Sequence, residues 1–600
     1  MLLPYYARDS GNIYLRLETP PSRRLSRPLV LAARLLGALA AIGLCVPLLM
    51  DAAHRPPLSI VGSPFSPPVE DFSARVSNRP VADPQSQLLS HHLPSPAPSQ
   101  STNDDTPAIP PPPPAPSPAE LDLDDPAVAA RVSVDALFAR QSKTLSQASA
   151  RYTLRTKRSP PPNYALWFHF AKEHNCLIDD YDQIHRDFKP FYQLAEKHPK
   201  YFQEMIGLAT KQVRVAFWRH PFAEVVVVDV LNGETSISGY TPYATWQYTF
   251  EKFAALLPNM SFILNSRDEP RVAFNFRSPN APKAALLRKD ETPFHISPTP
   301  TADFFRAQSG CMLPREADGM FDALNEEHSF LLSSAKPGYT TDLYPVLSMA
   351  KVSPCFSDIL FPTEYYYDRS WWSGKYEYPD NVSWDAKQSK LCKFSPLLPC
   401  FTAADTLSTD WRGKSTGGQI VGTNYRSFPR FRLAELGREH GDIMDVALTQ
   451  VDALTCREER ECNATALAEE YAINSTMAPR EEVYNYKYAM DVDGETFSGR
   501  FLGLLRSGSL VFKATMFEEY FNGWLRPYEH FIPVRADLGD LVQQLAWAEA
   551  NPAEARLIQQ RGLETARRVV TDEQNDCYYS LVLLEWARLQ QYAKTLAEKS

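Results

Sequence analysis

A single stretch, YKYAMDVDGETFSGRFLGLLRSGSLVFK at residues 486–513, constrains the fold more than any other part of this chain. An apolar run ending at Met490 indicates a strand, and a turn containing glycine and serine follows it. Apolar residues then recur at helical spacing from Phe497 to Leu505, before a second apolar run. The order strand, loop, helix, strand predicts a unit of an α/β sheet.

The loop of this unit has the chemistry of a phosphate site. Backbone N–H groups, the positive end of a helix and the Arg500 cation can together surround a diphosphate. The alternative is an ordinary α/β crossover with a solvated arginine.

Length and composition set the scale of the molecule. Its 600 residues are too many for one core, and 44% hydrophobic residues provide enough apolar material for two sizeable lobes. The formal net charge of −9, with no face rich in lysine and arginine, argues against nucleic acid as a partner.

The N-terminus predicts a membrane anchor. The chain is apolar and uncharged between Leu35 and Met50, and the segment before this run has more arginines than acidic residues. We therefore expect a cytoplasmic tail at 1–28 and a single-pass type II signal-anchor at 29–50, with the rest of the chain in the lumen of the Golgi or ER. A cleaved signal peptide is the alternative explanation of the same run.

A stalk and a short connector follow the anchor. Residues 51–125 are rich in proline and serine and contain too little large apolar material to form a core, so we predict a disordered stalk. Asp125 and Pro126 suit the N-cap and first position of a helix that runs toward Ala150, within a helical connector at 126–162.

The stretch at 486–513 resembles the signature of glycosyltransferase family 90, the capsule-associated-protein (CAP10) family of capsule xylosyltransferases and protein O-glucosyltransferases. The resemblance covers roughly residues 150–590. Beyond the signature it rests on PPPNYALWFHFAKEHNCLIDDYDQIHRDFKPF (160–191), LPNMSFILNSRDEP (257–270), WRGKSTGG (411–418) and FEEYFNGWLRPYEHFIPVRADLGDLVQQLAWAEANPAEARLIQQRG (517–562).

The family implies an α/β fold of the GT-B-like type, in which two Rossmann-type lobes enclose an active site in the cleft between them. We expect the first lobe, for the acceptor and the base, at 163–340 and the second lobe, for the UDP-sugar donor, at 341–570. A C-terminal helix at 571–600 is expected to return to the first lobe.

The implied reaction is the inverting transfer of a sugar from a UDP-sugar to a hydroxyl of a glycan or polysaccharide, with xylose or glucose as the sugar by resemblance. A protein O-glycosyltransferase acting on a glycoprotein is the second interpretation within the enzyme class. A catalytically silent homologue that binds glycans is the alternative from another class.

Asp268 is the expected catalytic base. The apolar run at 260–264 predicts a strand, and Asp268 follows its C-terminal end, which borders the ligand crevice in open α/β sheets. By resemblance, the matching aspartate removes the proton of the acceptor hydroxyl. Otherwise Asp268 would pair with Arg267 or cap a helix that begins at Pro270.

Two arginines are expected to hold the departing UDP. The resemblance matches Arg412 and Arg500 to the family's diphosphate-binding arginines, whose guanidinium groups can neutralise the charge that grows on the leaving phosphate. The expected donor-binding loop consists of Glu495, Thr496, Phe497, Ser498, Gly499 and Arg500.

No metal cofactor is expected, because two arginines can carry the charge of the diphosphate. Asp491 and Asp493 spell Asp-x-Asp, a manganese-binding signature of a different glycosyltransferase fold. Here they close a strand beside the phosphate loop, so manganese is the less favoured alternative.

Two further groups are weaker candidates for function. Tyr366 and Trp371 belong to an aromatic run that could stack on uracil or on a sugar, although such runs are more often part of a core. Asp179, Asp180 and Asp182 match a family motif and equally fit a solvated helix face.

The cysteines fit a secretory lumen. Of nine cysteines only Cys45 lies in the predicted anchor, so the others can pair completely. We expect a bond between Cys176 and Cys577, because the C-terminal region of GT-B-like folds tends to cross back to the first lobe. Proximity in the sequence suggests three other pairs, Cys311–Cys355, Cys392–Cys400 and Cys456–Cys462.

Sequons for N-glycosylation also lie beyond the predicted anchor. They begin at Asn259, Asn381, Asn463 and Asn474. We expect Asn259 to open a buried strand and to stay unmodified, and Asn463 and Asn474 to lie in loops.

Overall fold

The computed structural model describes residues 122–216, 225–238, 246–274, 340, 343–353, 356–367, 382–387, 409–418, 420–453, 455–473 and 485–600. The predicted cytoplasmic tail, the anchor and nearly all of the stalk lie outside these residues, and they remain predictions. Among the residues described, no helix is long and apolar enough to cross a membrane.

Helices and strands alternate through most of the described chain. The helices are α1 (Pro126–Ala139), α2 (Leu145–Thr156), α3 (Tyr164–Glu173), α4 (Asp182–Lys197), α5 (Pro199–Ala216), α6 (Trp246–Glu251), α7 (Pro429–Glu439), α8 (Ala464–Glu470), α9 (Phe501–Arg506), α10 (Leu541–Ala550), α11 (Pro552–Arg568) and α12 (Asp572–Lys599). The strands are β1 (Val225–Leu231), β2 (Glu234–Ser238), β3 (Met260–Asn265), β4 (Val346–Ser348), β5 (Ala350–Lys351), β6 (Ile359–Leu360), β7 (Thr409–Lys414), β8 (Asp445–Gln450), β9 (Tyr488–Val492), β10 (Leu510–Ala514), β11 (Glu518–Glu519) and β12 (Ile532–Val534).

Two five-stranded sheets organise these elements. The first sheet has the order β2-β1-β3-β4-β6, in which β1 is antiparallel to β2 and β3 while β3, β4 and β6 are parallel. The second has the order β12-β10-β9-β7-β8, and every pair in it is parallel. The predicted α/β class is confirmed, and the GT-B-like arrangement of two lobes remains a proposal.

The first sheet differs in two respects from the Rossmann-type lobe expected at 163–340. Its described strands include an antiparallel edge, and it recruits β4 and β6, which lie beyond the expected boundary. The second sheet is closer to expectation. All residues of β9 and β10 are buried, as parallel strands covered on both faces require.

The C-terminal helix α12 packs against α3, α4 and α5 near the start of the described chain. Thr571 caps it, accepting a hydrogen bond from the N–H of Gln574. Inside the contact, the hydroxyls of Tyr152 and Tyr192 both donate to the carboxylate of Glu585. The C-terminal helix therefore packs on helices that precede the first sheet in the chain.

Two disulfide bonds lie within the described chain. Cys176 is bonded to Cys577 and Cys456 to Cys462, which confirms both predicted pairs. The first bond joins the segment after α3 to the first turns of α12. The other two predicted pairs include residues outside the described chain.

The connector before the first sheet is two helices and not one helix running toward Ala150. Asp125 caps α1 as predicted, accepting from the N–H of Ala127 at 2.8 Å, but α1 ends at Ala139. The side chains of Asp179 and Asp180 hold the turn that follows α1. Asp179 accepts from the N–H of Ser142 at 2.7 Å, and Asp180 accepts from the side chain of Gln141.

Asn259 departs from its expected environment. Its side chain is exposed in the turn before β3, where its Oδ1 accepts from the N–H of Asn232 at 2.7 Å. The buried strand does begin next to Asn259, as expected, but the residue itself is exposed, so burial gives no reason for it to stay unmodified. Asn463 caps α8, and the sequons at Asn381 and Asn474 lie outside the described residues.

Removing the disulfide that closes the longer loop should have the larger effect on stability. The cysteines of Cys176–Cys577 are 401 residues apart and those of Cys456–Cys462 are 6 apart. The chain-entropy model gives upper values of about 6 and about 2 kcal/mol for such loops. In chemical denaturation, alanine at both cysteines of the long-range bond should therefore lower the free energy of unfolding more than alanine at both cysteines of the short one. Equal losses would contradict the expectation.

Candidate active site

The order of strands reverses between β7 and β9 in the second sheet. From β7 the chain passes through α7 to β8 on one side, and from β9 it passes through α9 to β10 on the other side. In open parallel sheets, ligands bind outside the carboxyl ends of strands at such a reversal. The segment after β7 and the segment after β9 therefore border the candidate site.

Each of these two segments supplies an arginine. Arg430 lies in the first turn of α7, and Arg500 immediately precedes α9. The guanidinium carbon of each lies 5.7 Å from the ring centroid of Trp411, a buried residue of β7. Two cations from different segments thus flank one indole ring at the strand reversal.

Arg430 is held by backbone groups of both segments. Its Nε donates to the carbonyl of Asp493 at 3.0 Å, and its Nη1 donates to the carbonyl of Lys414 at 3.0 Å. Gly494 leaves room for it, because a Cβ there would lie 2.7 Å from Arg430 Nη2. Burial, and then the neighbouring Arg500 cation, lower the pKa of Arg430 to about 10.

Arg412 takes a different position from the one expected of a partner for Arg500. Its Nη2 pairs with the carboxylate of Asp445 at 2.8 Å, and its Nη1 donates to the carbonyl of the same residue at 2.9 Å. Successive side chains of a strand point to opposite faces, so Arg412 and Trp411 do not share a face. Arg500 meets Arg412 through the main chain, donating from Nη1 to its carbonyl at 3.1 Å.

The loop from Glu495 to Arg500 is largely turned inward. Phe497 is buried with its ring 5.9 Å from that of Tyr365, and Ser498 donates to Asp491. The helix expected from Phe497 begins only at Phe501, because these contacts hold the preceding residues in a loop. Thr496 is also buried, whereas Glu495, Gly499 and Arg500 are half-buried.

Tyr366 supports this loop from the segment that follows the first sheet. Its hydroxyl donates to Glu519 and lies 3.3 Å from the carbonyl of Ser498. The side chain is buried, which agrees with a place in the core and disagrees with a stacking contact to a ligand. Trp371 lies outside the described residues.

A buried acidic cluster lies beneath the loop. Lys513 donates to Asp491 at 2.9 Å and lies 3.7 Å from Glu519. The nearby Asp493 accepts from the N–H of Met516 at 2.9 Å. Burial raises the pKa of Asp493 to about 7 and that of Glu519 to about 8, against the opposing effect of Lys513.

Three buried polar atoms at the strand reversal have no hydrogen-bond partner within the described chain. They are Nη2 of Arg500, Nε1 of Trp411 and Oδ1 of Asp493. Buried polar groups are nearly always paired, and unpaired ones often mark a functional site. Two of the three are donors, which is the polarity that an anionic ligand would satisfy.

Asp268 lies in the turn after β3, half-buried, at the strand end predicted for it. No helix begins at Pro270, since Val272 instead forms a parallel bridge with Thr340. The alternative role of Asp268 as a helix cap is therefore wrong.

Asp491 and Asp493 do not form the core of a recognisable metal site. Within the described chain, no group of three or more histidine, cysteine, aspartate or glutamate side chains is arranged to hold a metal ion. Lys513 occupies the space beside Asp491 instead.

Arg430 and Trp411 were not among the residues predicted from the sequence. A partial signal for Arg430 is present, because Pro429 suits the first position of a helix and thereby predicts that Arg430 lies in the first turn of that helix. Trp411 directly precedes Arg412, which was predicted. Only the alternation of side chains along β7 shows that Trp411, and not Arg412, faces Arg430 and Arg500.

Comparison with known proteins identifies the region around this site. Residues 337–600 match glycosyl transferase family 90. The resemblance stated from the sequence is thereby confirmed. The matched region contains the whole second sheet together with Arg430 and Arg500, whereas Asp268 precedes it.

The curated proteins similar to this chain include protein O-glucosyltransferases. Protein O-glucosyltransferase 2 of Danio rerio is 36% identical over 184 residues, 30% of this chain and 34% of the relative. Protein O-glucosyltransferase 3 of Mus musculus is 29% identical over 181 residues, again 30% and 34%. Protein O-glucosyltransferase 1 of Homo sapiens is 25% identical over 266 residues, 43% of this chain and 61% of the relative. The chain thus spans about a third of the length of the first two relatives.

The acidic cluster predicts a pH dependence of stability. The pKa of Asp493 is higher in the folded chain than in an unfolded one, so its contribution to stability is present at low pH and is lost as the pH rises through about 7. Asp493→Asn removes this titration, and the fall in Tm between about pH 5 and pH 8 should be smaller than in the wild type. Asp442→Asn, at an exposed turn, is the control and should keep the wild-type slope. An unchanged slope in Asp493→Asn would refute the assignment.

Proposed function

We propose that this chain is an inverting glycosyltransferase that uses a UDP-sugar, and that the diphosphate of the donor binds at the strand reversal between Arg430 and Arg500. The observation that carries the proposal is the buried, unpaired Nη2 of Arg500 beside a second guanidinium. Two neighbouring cations with an unsatisfied donor favour a ligand of at least two negative charges.

The same charges suit the chemistry of the leaving group. As the bond between the sugar and UDP breaks, its electron pair passes to the β-phosphate oxygen, and negative charge grows there. Arg430 and Arg500 repel each other, and the negative charge of the leaving phosphate would stabilise both of them. The interaction therefore strengthens as the transition state forms.

Asp268 is the proposed base. It would accept the proton of the acceptor hydroxyl as the hydroxyl oxygen forms its bond to the anomeric carbon, on the face opposite UDP. Its position after β3, at the carboxyl end of a strand in the first sheet, supports a GT-B-like arrangement in which the base and the donor site face each other across a cleft.

Glucose is the first sugar to test, because the relatives are named O-glucosyltransferases, with xylose as the second. A glycan or polysaccharide hydroxyl is the proposed acceptor, and a hydroxyl of a glycoprotein is the alternative that the relatives' names favour. A silent glycan-binding homologue is less favoured, because the chain contains Asp268 together with the arginines matched by resemblance, Arg412 and Arg500.

The proposed location is the lumen of the Golgi or ER, with residues 29–50 as the membrane anchor. The two disulfides support an oxidising compartment. The exposed sequon asparagines at Asn259 and Asn463 are compatible with it.

The decisive experiment is to incubate the purified full chain with a panel of UDP-sugars and acceptors, and to measure UDP release and the mass of the products. Asp268→Asn should lower transfer by about 10²–10⁴-fold, because the amide keeps the shape of the side chain but cannot take the proton. Its affinity for UDP should stay close to that of the wild type. Full activity in Asp268→Asn would refute the assignment of Asp268 as the base. The absence of UDP release with every donor would favour the silent homologue.

A second experiment separates the three arginines. In calorimetric titrations with UDP, Arg430→Lys and Arg500→Lys should each weaken binding by about 10-fold or more, because an ammonium group cannot reproduce the planar fork. Arg412→Lys should have a smaller effect, since its guanidinium pairs with Asp445. Arg438→Lys, at the far end of α7, is the matched control. A loss confined to Arg412→Lys would restore the assignment made from the sequence.

A further inference from the structure

The turn that carries Asp268 is closed by a buried polar contact. Oδ1 of Asn265 accepts from the N–H of Arg267 at 3.0 Å and from Nε of Arg271 at 3.1 Å. Nδ2 of the same side chain donates to the carbonyl of Glu269 at 2.7 Å. Asn265 thus contacts the chain on both sides of Asp268.

Arg271 completes this closure from the end of the turn. Its side chain has no exposed surface, and its Nη2 lies 3.4 Å from Oε2 of Glu269. A buried guanidinium is unfavourable unless its donors are met by acceptors, and here Asn265 and Glu269 provide them. The guanidinium therefore ties the beginning of the turn to its end.

The neighbouring strands fix the turn from outside. The carboxylate of Asp358 accepts from the N–H of Arg271 at 2.8 Å and from the N–H of Val272 at 2.9 Å. Ser348 of β4 donates to Asp358 and accepts from Nδ2 of Asn265 at 3.1 Å. Every one of these groups is buried, whereas Asp268 is half-buried. The turn thus carries the carboxylate of Asp268 on a backbone that is anchored to the first sheet.

We propose that Arg271 is a positioning residue for the catalytic base, holding the turn of residues 265–271 in the one conformation that directs Asp268 at the acceptor hydroxyl. The inference rests on the proposed function of Asp268. A base must be held in hydrogen-bond reach of the proton that it removes, and a displacement of about 1 Å can lower the rate by about 10²-fold. Arg271 acts through the turn and is not itself a group that touches the reactants.

The test compares Arg271→Lys with the wild type in the full chain, using the donor and acceptor that give the fastest transfer in the panel. Lysine keeps the charge but cannot bridge Asn265 and Glu269 at once. Turnover should fall by about 10–100-fold, while the affinity for UDP stays within about twofold. Arg588→Lys is the control, since its guanidinium contacts Tyr152 in the packing of α2 against α12, and its turnover should be unchanged.

A double-mutant cycle with Asp268→Asn distinguishes positioning from general support of the fold. If Arg271 acts through Asp268, Arg271→Lys should cause no further loss of turnover once the base is gone. Glu269→Gln is a milder variant that leaves the bond between Asn265 and the Glu269 carbonyl in place, and it should lower turnover by about 2- to 5-fold with wild-type UDP affinity.

Three results would overturn the inference. They are wild-type turnover in Arg271→Lys, equal losses of turnover and UDP affinity in that variant, and losses that multiply in the double variant. An Arg271→Lys chain that does not fold leaves the decision to Glu269→Gln, for which wild-type turnover overturns the inference. Full activity of Asp268→Asn would instead refute the proposed base itself.

Discussion

Lys513 lies inside the second sheet with carboxylates on several sides, and its pairing with Asp491 fixes the two strands on either side of the loop at residues 495–500. The two residues are direct neighbours across β9 and β10. Removing one member of a buried ion pair typically costs about 3–5 kcal/mol, because the other charge is left uncompensated. From this pair the contacts spread to Ser498 in the loop and to Phe501 in α9, over whose ring the ammonium lies at 4.0 Å.

The same pair links the site to the rest of the molecule. Glu519 beside Lys513 accepts from Tyr366, which follows the first sheet, and β11, to which Glu519 belongs, pairs with β5. The loop of residues 495–500 is thus supported by Tyr366, which follows the first sheet, as well as by the second sheet, and its shape depends on residues far apart in the sequence. A substitution in the segment after β6 is therefore expected to change the shape of this loop, although the two segments are far apart in the sequence.

Local patterns were sufficient to predict β3, β9 and β10, because each is a short apolar run with a polar segment after it. They also sufficed for the Asp125 cap, which depends only on neighbouring residues. The pairing of Cys176 with Cys577 came from family resemblance, since the two cysteines are far apart in the chain. The beginning of α9 was misplaced because Phe497 has helical spacing but is held outside the helix by Tyr365 and Tyr366.

The sequence pointed to only some of the residues of the proposed donor site. Arg500 belongs to the loop that the sequence motif identifies, but Arg430 reaches the same position from a separate helix, and no local pattern predicts that juxtaposition. The sequence also did not show which way Arg412 points. It follows Trp411 by one residue, and its side chain therefore lies on the opposite face of β7, where it pairs with Asp445. Strand order and side-chain alternation are properties of the folded sheet, so a motif alone could not separate these residues.

The bond between Cys176 and Cys577 also imposes an order on synthesis. A ribosome that adds about 5–20 residues per second needs about 20–80 s to travel the 401 residues between the two cysteines. During that time α3, α4 and α5 lack the helix against which they pack, and the thiol of Cys176 is open to incorrect partners. The N-terminal part of the domain is therefore made first and completed last, because its helices gain their packing partner only once α12 has been synthesised.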